Sequence, residues 1–377
     1  MRQMTKYQEI RRQLHDHPGV SGREEYAHDI IVAELRKTNA TTIYDHVGGY
    51  GVVAYWGSAN PEATTLAFRA DTDALPIGHR CGHDGHTAVM LRFADVVASV
   101  FENDKCFKHN VLLIFQPEEE TGAGARKIVE SGIMQRHGVK SVFGMHNLPG
   151  YPLGCAVLNR HTFAAASTGV VYTLQGRETH ASTPEKGINP GLAIARIIER
   201  FAGLNVKTSD LDAFRQSTLI CCRVGEEAFG TSAGRGEVMF TLRAYTNAAM
   251  ESLLNDADTI VANVVGAASP VGGMTWRREL REPFKATENT TELVDRLESV
   301  FDDAMKRDAI CGLQTIDTPF RWSEDFAEYL SVFPGVFFGV GSGENQPELH
   351  HPDYDFPDAL IEPMSRCFEV LLRMLRC

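Results

Sequence analysis

No run of about 18 apolar residues occurs in the 377-residue chain, so the sequence offers no candidate for a membrane-spanning helix. Its first residues place Arg2, Lys6, Arg11 and Arg12 among polar neighbours, without the apolar stretch of a secretory signal. Positive charge is also in deficit. Thirty-seven Lys and Arg face 49 Asp and Glu, a formal net charge of -12, which would repel the phosphates of nucleic acids and anionic membranes. Neither is expected as a partner, which leaves small molecules. Internal repeats and low-complexity segments are absent as well. So is a disulfide framework: the eight cysteines are scattered, mostly among apolar residues as in Leu219 to Cys222, as suits reduced thiols in a cytoplasmic protein.

What is present is ample apolar material. With 43% hydrophobic and 23% charged residues, a chain of this length can bury a large core and is expected to form two domains. Helical spacing of apolar residues marks Tyr7 to Leu14 and Glu24 to Arg36, separated by the turn at His17-Pro18-Gly19. Gly51 to Trp56, Thr65 to Arg69 and Val111 to Phe115 read as short strands, with a helix from about Thr87 to Val100 between them, and Ser141 to Met145 as a further strand ending at His146. This alternation predicts an α/β catalytic domain, a mixed central sheet flanked by helices. From Ser167 the order changes. Strand Val170 to Leu174, helix Asn189 to Phe201, strands Ser217 to Val224 and Val238 to Ala244, helix Met250 to Val265 and strand Met274 to Leu280 give β-α-β-β-α-β, the split pattern of a small ferredoxin-like α+β domain. It reads as an insertion over 168–282, with 1–167 and 283–377 forming the first domain. The latter part carries a helix at Thr291 to Arg307, a strand at Val336 to Val340 and a closing helix from about Pro357 to Arg376.

Residues suited to chemistry gather at the strand ends of the first domain. In His79-Arg80-Cys81-Gly82-His83-Asp84-Gly85-His86, two glycines allow tight bending. Cys81 and His83 would project to one side of an extended segment, and thiolate with imidazole suits zinc or a similar first-row ion. Directly after the strand Val111 to Phe115 comes Gln116-Pro117-Glu118-Glu119-Glu120. Three acids in a row by themselves read as a solvated turn. At the carboxyl end of a sheet strand, however, they stand where α/β proteins place ligands, and metal-assisted hydrolysis needs both a carboxylate ligand and a carboxylate base. His146 and the pair His350-His351 are unremarkable singly. Together Cys81, His83, Glu120, His146 and His350 would supply two divalent ions about 3.5–4 Å apart that share a water.

These motifs resemble the aminoacylase and carboxypeptidase type of dinuclear metallopeptidases, in the amidohydrolase branch with hippurate hydrolase, auxin-conjugate hydrolases and aminobenzoyl-glutamate hydrolase. The resemblance covers nearly the whole chain. It runs through Arg12-Gln13-Leu14-His15-Asp16-His17-Pro18, Arg69-Ala70-Asp71-Thr72-Asp73-Ala74-Leu75-Pro76, Cys81-Gly82-His83-Asp84-Gly85-His86, Gln116-Pro117-Glu118-Glu119-Glu120, Gly144-Met145-His146, Ser323-Glu324-Asp325-Phe326 and Leu349-His350-His351-Pro352.

The resemblance implies hydrolysis of the amide bond of an N-acyl amino acid or similar conjugate by a metal-bridged water, with Glu119 as general base and Glu120 as a metal ligand. It implies His350 rather than His351 as a ligand, two zinc or manganese ions, and His180 in the inserted domain as the group that reaches the scissile carbonyl. Arg243 matches the family arginine and would bind a substrate carboxylate bidentately. The insertion would act as lid and dimerisation domain of a homodimer. Asp71, Asp73, Asp84 and His86 would orient ligands. The chain departs from the family in two places. Only Ile77 and Gly78 separate Pro76 from His79 where relatives carry a longer loop, and Gly230 stands where an asparagine contacts substrate. A dipeptidase or aminopeptidase on the same scaffold is the alternative enzyme, and a non-catalytic metal-binding relative the alternative outside enzymes.

Overall fold

The computed structural model describes residues 4–269 and 273–374. Arg2 and the end of the expected closing helix, including Arg376, lie outside them. The chain divides into two compact units, one built from the residues up to Phe163 with Thr287–Asp317 and Asp325 onward, the other from Ala164–Ala286 with Thr318–Glu324.

The first unit is organised on strands β1 (Thr42–Val47), β2 (Gly51–Trp56), β3 (Thr64–Asp71), β4 (His109–Gln116), β5 (Val139–Pro149) and β6 (Cys155–Asn159). The second unit contributes β7 (Ala166–Gln175), β8 (Thr179–His180), β9 (Arg215–Val224), β10 (Thr231–Ser232), β11 (Arg235–Ala244) and β12 (Thr275–Phe284). On returning to the first unit the chain adds β13 (Gly312–Ile316) and β14 (Gly335–Gly343). The eight-stranded sheet of the first unit runs β1-β2-β4-β3-β5-β14-β6-β13. β3 is parallel to both β4 and β5, and β5 to β14, so these carboxyl ends face one way, whereas β2 is antiparallel to β4. Strands covered on both faces read as continuous apolar runs rather than alternating ones. Accordingly Val111, Leu112, Leu113, Ile114 and Phe115 are all fully buried.

Helices at Lys6–Asp16, His83–Asn103, Thr291–Lys306 and Ile361–Met374 contribute to the core of this unit. Phe68 on β3, Phe93 and Phe368 pack edge-on or tilted with ring centroids 4.9 to 5.4 Å apart, the geometry that aromatic quadrupoles favour. Helix Lys6–Asp16 opens with a capping box, in which Gln8 N–H donates to Thr5 Oγ1 and Thr5 N–H to Gln8 Oε1.

In the second unit the antiparallel sheet runs β12-β7-β11-β9. Alternate residues Val170, Tyr172 and Leu174 on β7 and Val238, Phe240 and Leu242 on β11 share a core with Ile194 and Ile197 of helix Gly191–Ala202 and with Leu253, Ala257 and Val261 of helix Asn247–Ala268. Each helix thus links two strands with a third lying between them, the split βαβ arrangement.

Besides the two-residue strands β8 and β10, three strands carry no clear sequence signal. β1 is an edge strand interrupted by Asp45 and His46, β13 is an edge strand with exposed polar residues, and β6 is only five residues long. A larger correction concerns the Cys81–His86 run. The helix expected from Thr87 begins at His83, and Gly82 before it is left-handed with φ +97°. The segment is therefore not extended. A side chain at Gly82 would meet Asn147 Oδ1 at 2.8 Å, so only glycine permits both the backbone turn and the close approach. Among the described residues no helix is long and apolar enough to cross a membrane.

Candidate metal centre

Asp71 ends β3, Gln116 ends β4 and His146 lies within β5, so parallel strands deliver their following residues to one edge of the sheet. Ligands gather at such carboxyl ends in open α/β sheets. Cys81 comes from the turn before helix His83–Asn103 and His83 opens that helix, Glu119 and Glu120 come from the turn after β4, and His350 from the turn after β14. The ligand atoms of Cys81, His83 and His146 lie within 4.8 Å of one another, as do those of Cys81, Glu120 and His350, and those of His83, Glu119 and Glu120. The five expected ligands and the expected base therefore converge.

Hydrogen bonds fix which ring nitrogens point into this cluster. His146 Nδ1 lies 2.9 Å from Asn147 O and His83 Nδ1 lies 3.0 Å from Asp73 O. Carbonyl oxygens only accept, so both Nδ1 atoms carry a proton and both Nε2 atoms are the ones turned to the cluster, where each in its neutral form offers a metal its lone pair. His146 Nε2 is 3.5 Å from Cys81 Sγ. His83 Nε2 is 3.9 Å from Glu120 Oε1, and His350 Nε2 is 3.8 Å from the same oxygen. His83 Nε2 and Glu120 Oε1 are both buried with no hydrogen-bond partner. Two buried polar atoms left without partners beside each other are costly unless a cation, a proton or a metal ion, lies between them.

Against burial, the Asp71 and Cys81 charges raise the His83 imidazole well above its ordinary range, so a metal at its Nε2 would displace a proton. Burial pushes the Glu120 carboxyl up to about 7, the His83 charge opposing and the Asp73 and Asp71 charges adding to the rise. Burial likewise raises the Cys81 thiol well above its ordinary range and lowers the His146 imidazole well below its own. Divalent ions would reverse the penalty on thiolate and carboxylate, so the donor set fits a metal pair.

The neighbouring residues behave as orienting groups. Asp73 Oδ2 accepts Glu120 N–H at 3.0 Å, while its Oδ1 faces His83 Nδ1 at 3.3 Å. His86 is held on both sides, by Asp71 Oδ1 at Nδ1 and Asn147 Oδ1 at Nε2. Asp84 accepts from Arg11 Nη1 at 3.2 Å and meets His15 Nδ1 at 2.9 Å. Of the two adjacent histidines, His351 turns to Asp353, whose N–H its Nδ1 accepts at 3.2 Å. Glu118 is taken by Lys127 at 2.6 and 2.7 Å.

Asp325 has a role its sequence position did not reveal. Its carboxylate accepts from Arg69 Nη2, Gln116 Nε2 and Ala125 N, and its own N–H reaches Glu119 Oε1 at 3.4 Å. The Ser-Glu-Asp-Phe motif was the only signal that could have found it.

His180 and Arg243 belong to the second unit. His180 is exposed on β8, where its Nδ1 accepts Ser182 N–H at 3.1 Å. β8 pairs with β10 beside Gly230, whose carbonyl accepts Ala181 N–H. A side chain at Gly230 would meet open space, and Phe229 is 95% exposed. Arg243 Nη1 donates to Arg321 O at 2.7 Å and Ser323 Oγ at 3.0 Å. The shortened segment before His79 is a tight turn in which Gly78, at φ +92°, donates its N–H to Leu75 O.

Comparison with known proteins places this geometry. The family model described as peptidase family M20/M25/M40 matches residues 67–376. The IAA-amino acid hydrolase ILR1-like 5 of Arabidopsis thaliana is 30% identical over 381 residues, covering 96% of this chain and 81% of that protein. The N-acetyl-L-cysteine deacetylase of Bacillus subtilis is 28% identical over 384 residues, covering 97% and 87%. A dinuclear metal-binding peptidase of Bacillus subtilis shares the fold, with a TM-score of 0.80 at 24% identity over 97% of this chain and 96% of that one.

Proposed function

The chain belongs to peptidase family M20/M25/M40, and from that premise we propose that it is a metal-dependent amidohydrolase cleaving an N-acyl amino acid or a similar small conjugate. The observation that carries the proposal is the convergence of Cys81, His83, Glu120, His146 and His350 around two buried polar atoms without hydrogen-bond partners, His83 Nε2 and Glu120 Oε1. These five residues would hold two divalent ions, zinc or manganese, since mixed sulfur, nitrogen and oxygen donors suit both. Such ions supply Lewis acidity, lowering the pKa of a shared water and polarising the substrate carbonyl.

The chain's own groups do the rest. Glu119 takes the water's proton and later passes it to the departing amine, as a carboxylate held in place at one oxygen can. The Asp325 N–H at Oε1 supports that role by fixing the side chain. His180 would donate to the carbonyl oxygen as charge develops there. Arg243 would bind the substrate carboxylate, and its tie to Arg321 and Ser323 already restrains the guanidinium. The relatives act on IAA-amino acid conjugates and N-acetyl-L-cysteine, by their names; the acyl amino acid class is extended to this chain on that likeness.

The second unit is read as the ferredoxin-like lid and dimerisation domain. Support for a homodimer comes from β9, an edge strand whose Leu219 and Ile220 are 46% and 61% exposed. An exposed apolar edge invites pairing with another strand. The cysteines of the described residues are all free, which supports a cytoplasmic placement.

Release of free amine from N-acetyl and N-benzoyl amino acids, aminobenzoyl-glutamate and dipeptides, by protein loaded separately with zinc and manganese, tests the reading. Chelator-sensitive cleavage of acylated substrates is expected. Preference for free-amine dipeptides would make the enzyme a dipeptidase, and silence with metal bound would overturn the hydrolase assignment.

A further inference from the structure

The turn that presents Glu119 and Glu120 depends on a residue whose backbone conformation side chains rarely adopt. Glu118 has φ +54°, in the left-handed region where a Cβ crowds the following carbonyl. Such a conformation persists only where the surroundings over-determine it, and here every polar part of Glu118 is engaged. Its carboxylate is gripped by Lys127 Nζ at 2.6 and 2.7 Å. Its carbonyl accepts Gly124 N–H at 3.2 Å, Ala123 N–H at 3.3 Å and the Thr121 hydroxyl at 3.3 Å. Its N–H donates to Glu24 Oε1 at 3.0 Å.

Glu24 is the anchor that solvent cannot replace. Its side chain is 1% exposed, its Oε1 also accepts Gly22 N–H at 2.8 Å, and its Oε2 is buried without a hydrogen-bond partner. A carboxylate this buried, more than 90 residues before the turn, has no part in the chemistry proposed above. Without it the Glu118 N–H would be left unpaired in the interior, a penalty that the chain would relieve by leaving the left-handed conformation. Glu119 and Glu120 follow immediately, so their directions would change with it.

We propose that Glu24 is a positioning residue, which through the Glu118 N–H holds the left-handed turn that aims Glu119 at the shared water and Glu120 at the metals. The inference rests on the roles given to Glu119 and Glu120 above. The test compares wild type with Glu24→Ala, Glu24→Gln and Lys127→Met, each stripped with chelator. Manganese affinity is measured by calorimetric titration, and kcat and KM on the best acylated substrate.

Glu24→Ala is expected to weaken manganese binding about tenfold, as loss of an outer-shell partner does. It should lower kcat about a hundredfold with KM within about twofold, the signature of a misaimed reactive group. Glu24→Gln should lie within about threefold of wild type on both measures, because a carboxamide oxygen can accept the same two N–H groups. Lys127→Met, which releases the same turn from its solvent side, should fall between them. Wild-type affinity and kcat in Glu24→Ala would overturn the proposal, as would a Glu24→Gln variant as impaired as the alanine. Should Glu24→Ala not fold, unchanged manganese affinity in Lys127→Met would overturn it. If wild type binds manganese but cleaves nothing, the hydrolase reading fails while the order of affinities still judges Glu24.

Discussion

Replacing Arg69 by methionine should destabilise the first unit severely without touching any expected metal ligand. Arg69 is 1% exposed, and its guanidinium donates to Gln116 Oε1 at 2.8 Å, Asp71 Oδ2 at 2.7 Å and Asp325 Oδ1 at 2.8 Å. Both aspartates are themselves buried. Methionine fills much of the volume but leaves two carboxylates without their cation. The loss is less than that of two isolated pairs, because Asp325 keeps Gln116 Nε2 and Ala125 N–H while Asp71 keeps His86. Removing one partner of a buried ion pair costs about 3–5 kcal/mol. At about 2–4 °C per kcal/mol for a unit of this size, the transition should fall by roughly 6–20 °C.

Because a chain of two units need not unfold in one step, the probe should report the first unit alone. Trp56 lies in it, fully buried, whereas Trp276 and Trp322 belong to the second. Trp56 fluorescence in a Trp276→Phe, Trp322→Phe background, with chelator present, gives that signal. Adding Asp325→Asn should recover part of the loss, since the variant then buries one charge fewer. A shift below about 1 kcal/mol for Arg69→Met, or strict additivity in the double variant, would refute the view that Arg69 neutralises the floor of the site.

Three further outcomes are expected. Glu119→Gln should abolish turnover yet leave metal content at the wild-type level by elemental analysis; an active variant would remove Glu119 as the base. Arg243→Ala should raise KM about tenfold or more for substrates with a free carboxylate while sparing the amidated analogue, and equal KM changes for both would end its carboxylate role. Burial raises the Glu24 carboxyl to about 7 from an ordinary 4.5, so the folded state binds its proton more tightly than the unfolded chain. That contribution is complete below the unfolded pKa and is lost as pH rises through the folded one. Wild type should therefore lose about 3 kcal/mol relative to Glu24→Gln between pH 4.5 and pH 7, and a stability difference flat across that window in urea titrations would show that Glu24 is solvated.

The chemistry of the site was written in short segments. Cys81, His83, Glu120, His146 and His350 stand out because thiol, imidazole and carboxylate occur beside strand signals, and strand ends are where an α/β sheet exposes its ligands. The second unit was equally legible, since alternation over β7 and β11 and helical spacing in Asn247–Ala268 are local patterns. Local patterns could not say that Gly82 turns left-handed and starts a helix at His83, because the demand for glycine comes from Asn147, 65 residues away. Nor could they assign Glu118 a conformation that only Glu24, Lys127 and the turn's own N–H groups make tolerable. The pairing of Arg69 with Asp325 spans 256 residues, and the Nδ1 proton of His83 is fixed by the Asp73 carbonyl, ten residues earlier, that meets it only in the folded chain. Residue type and spacing decided which atoms could bind metal or carry a proton. Which of them are aimed, neutralised or left without a partner was decided by tertiary contacts, because hydrogen bonding and burial act through space rather than along the chain.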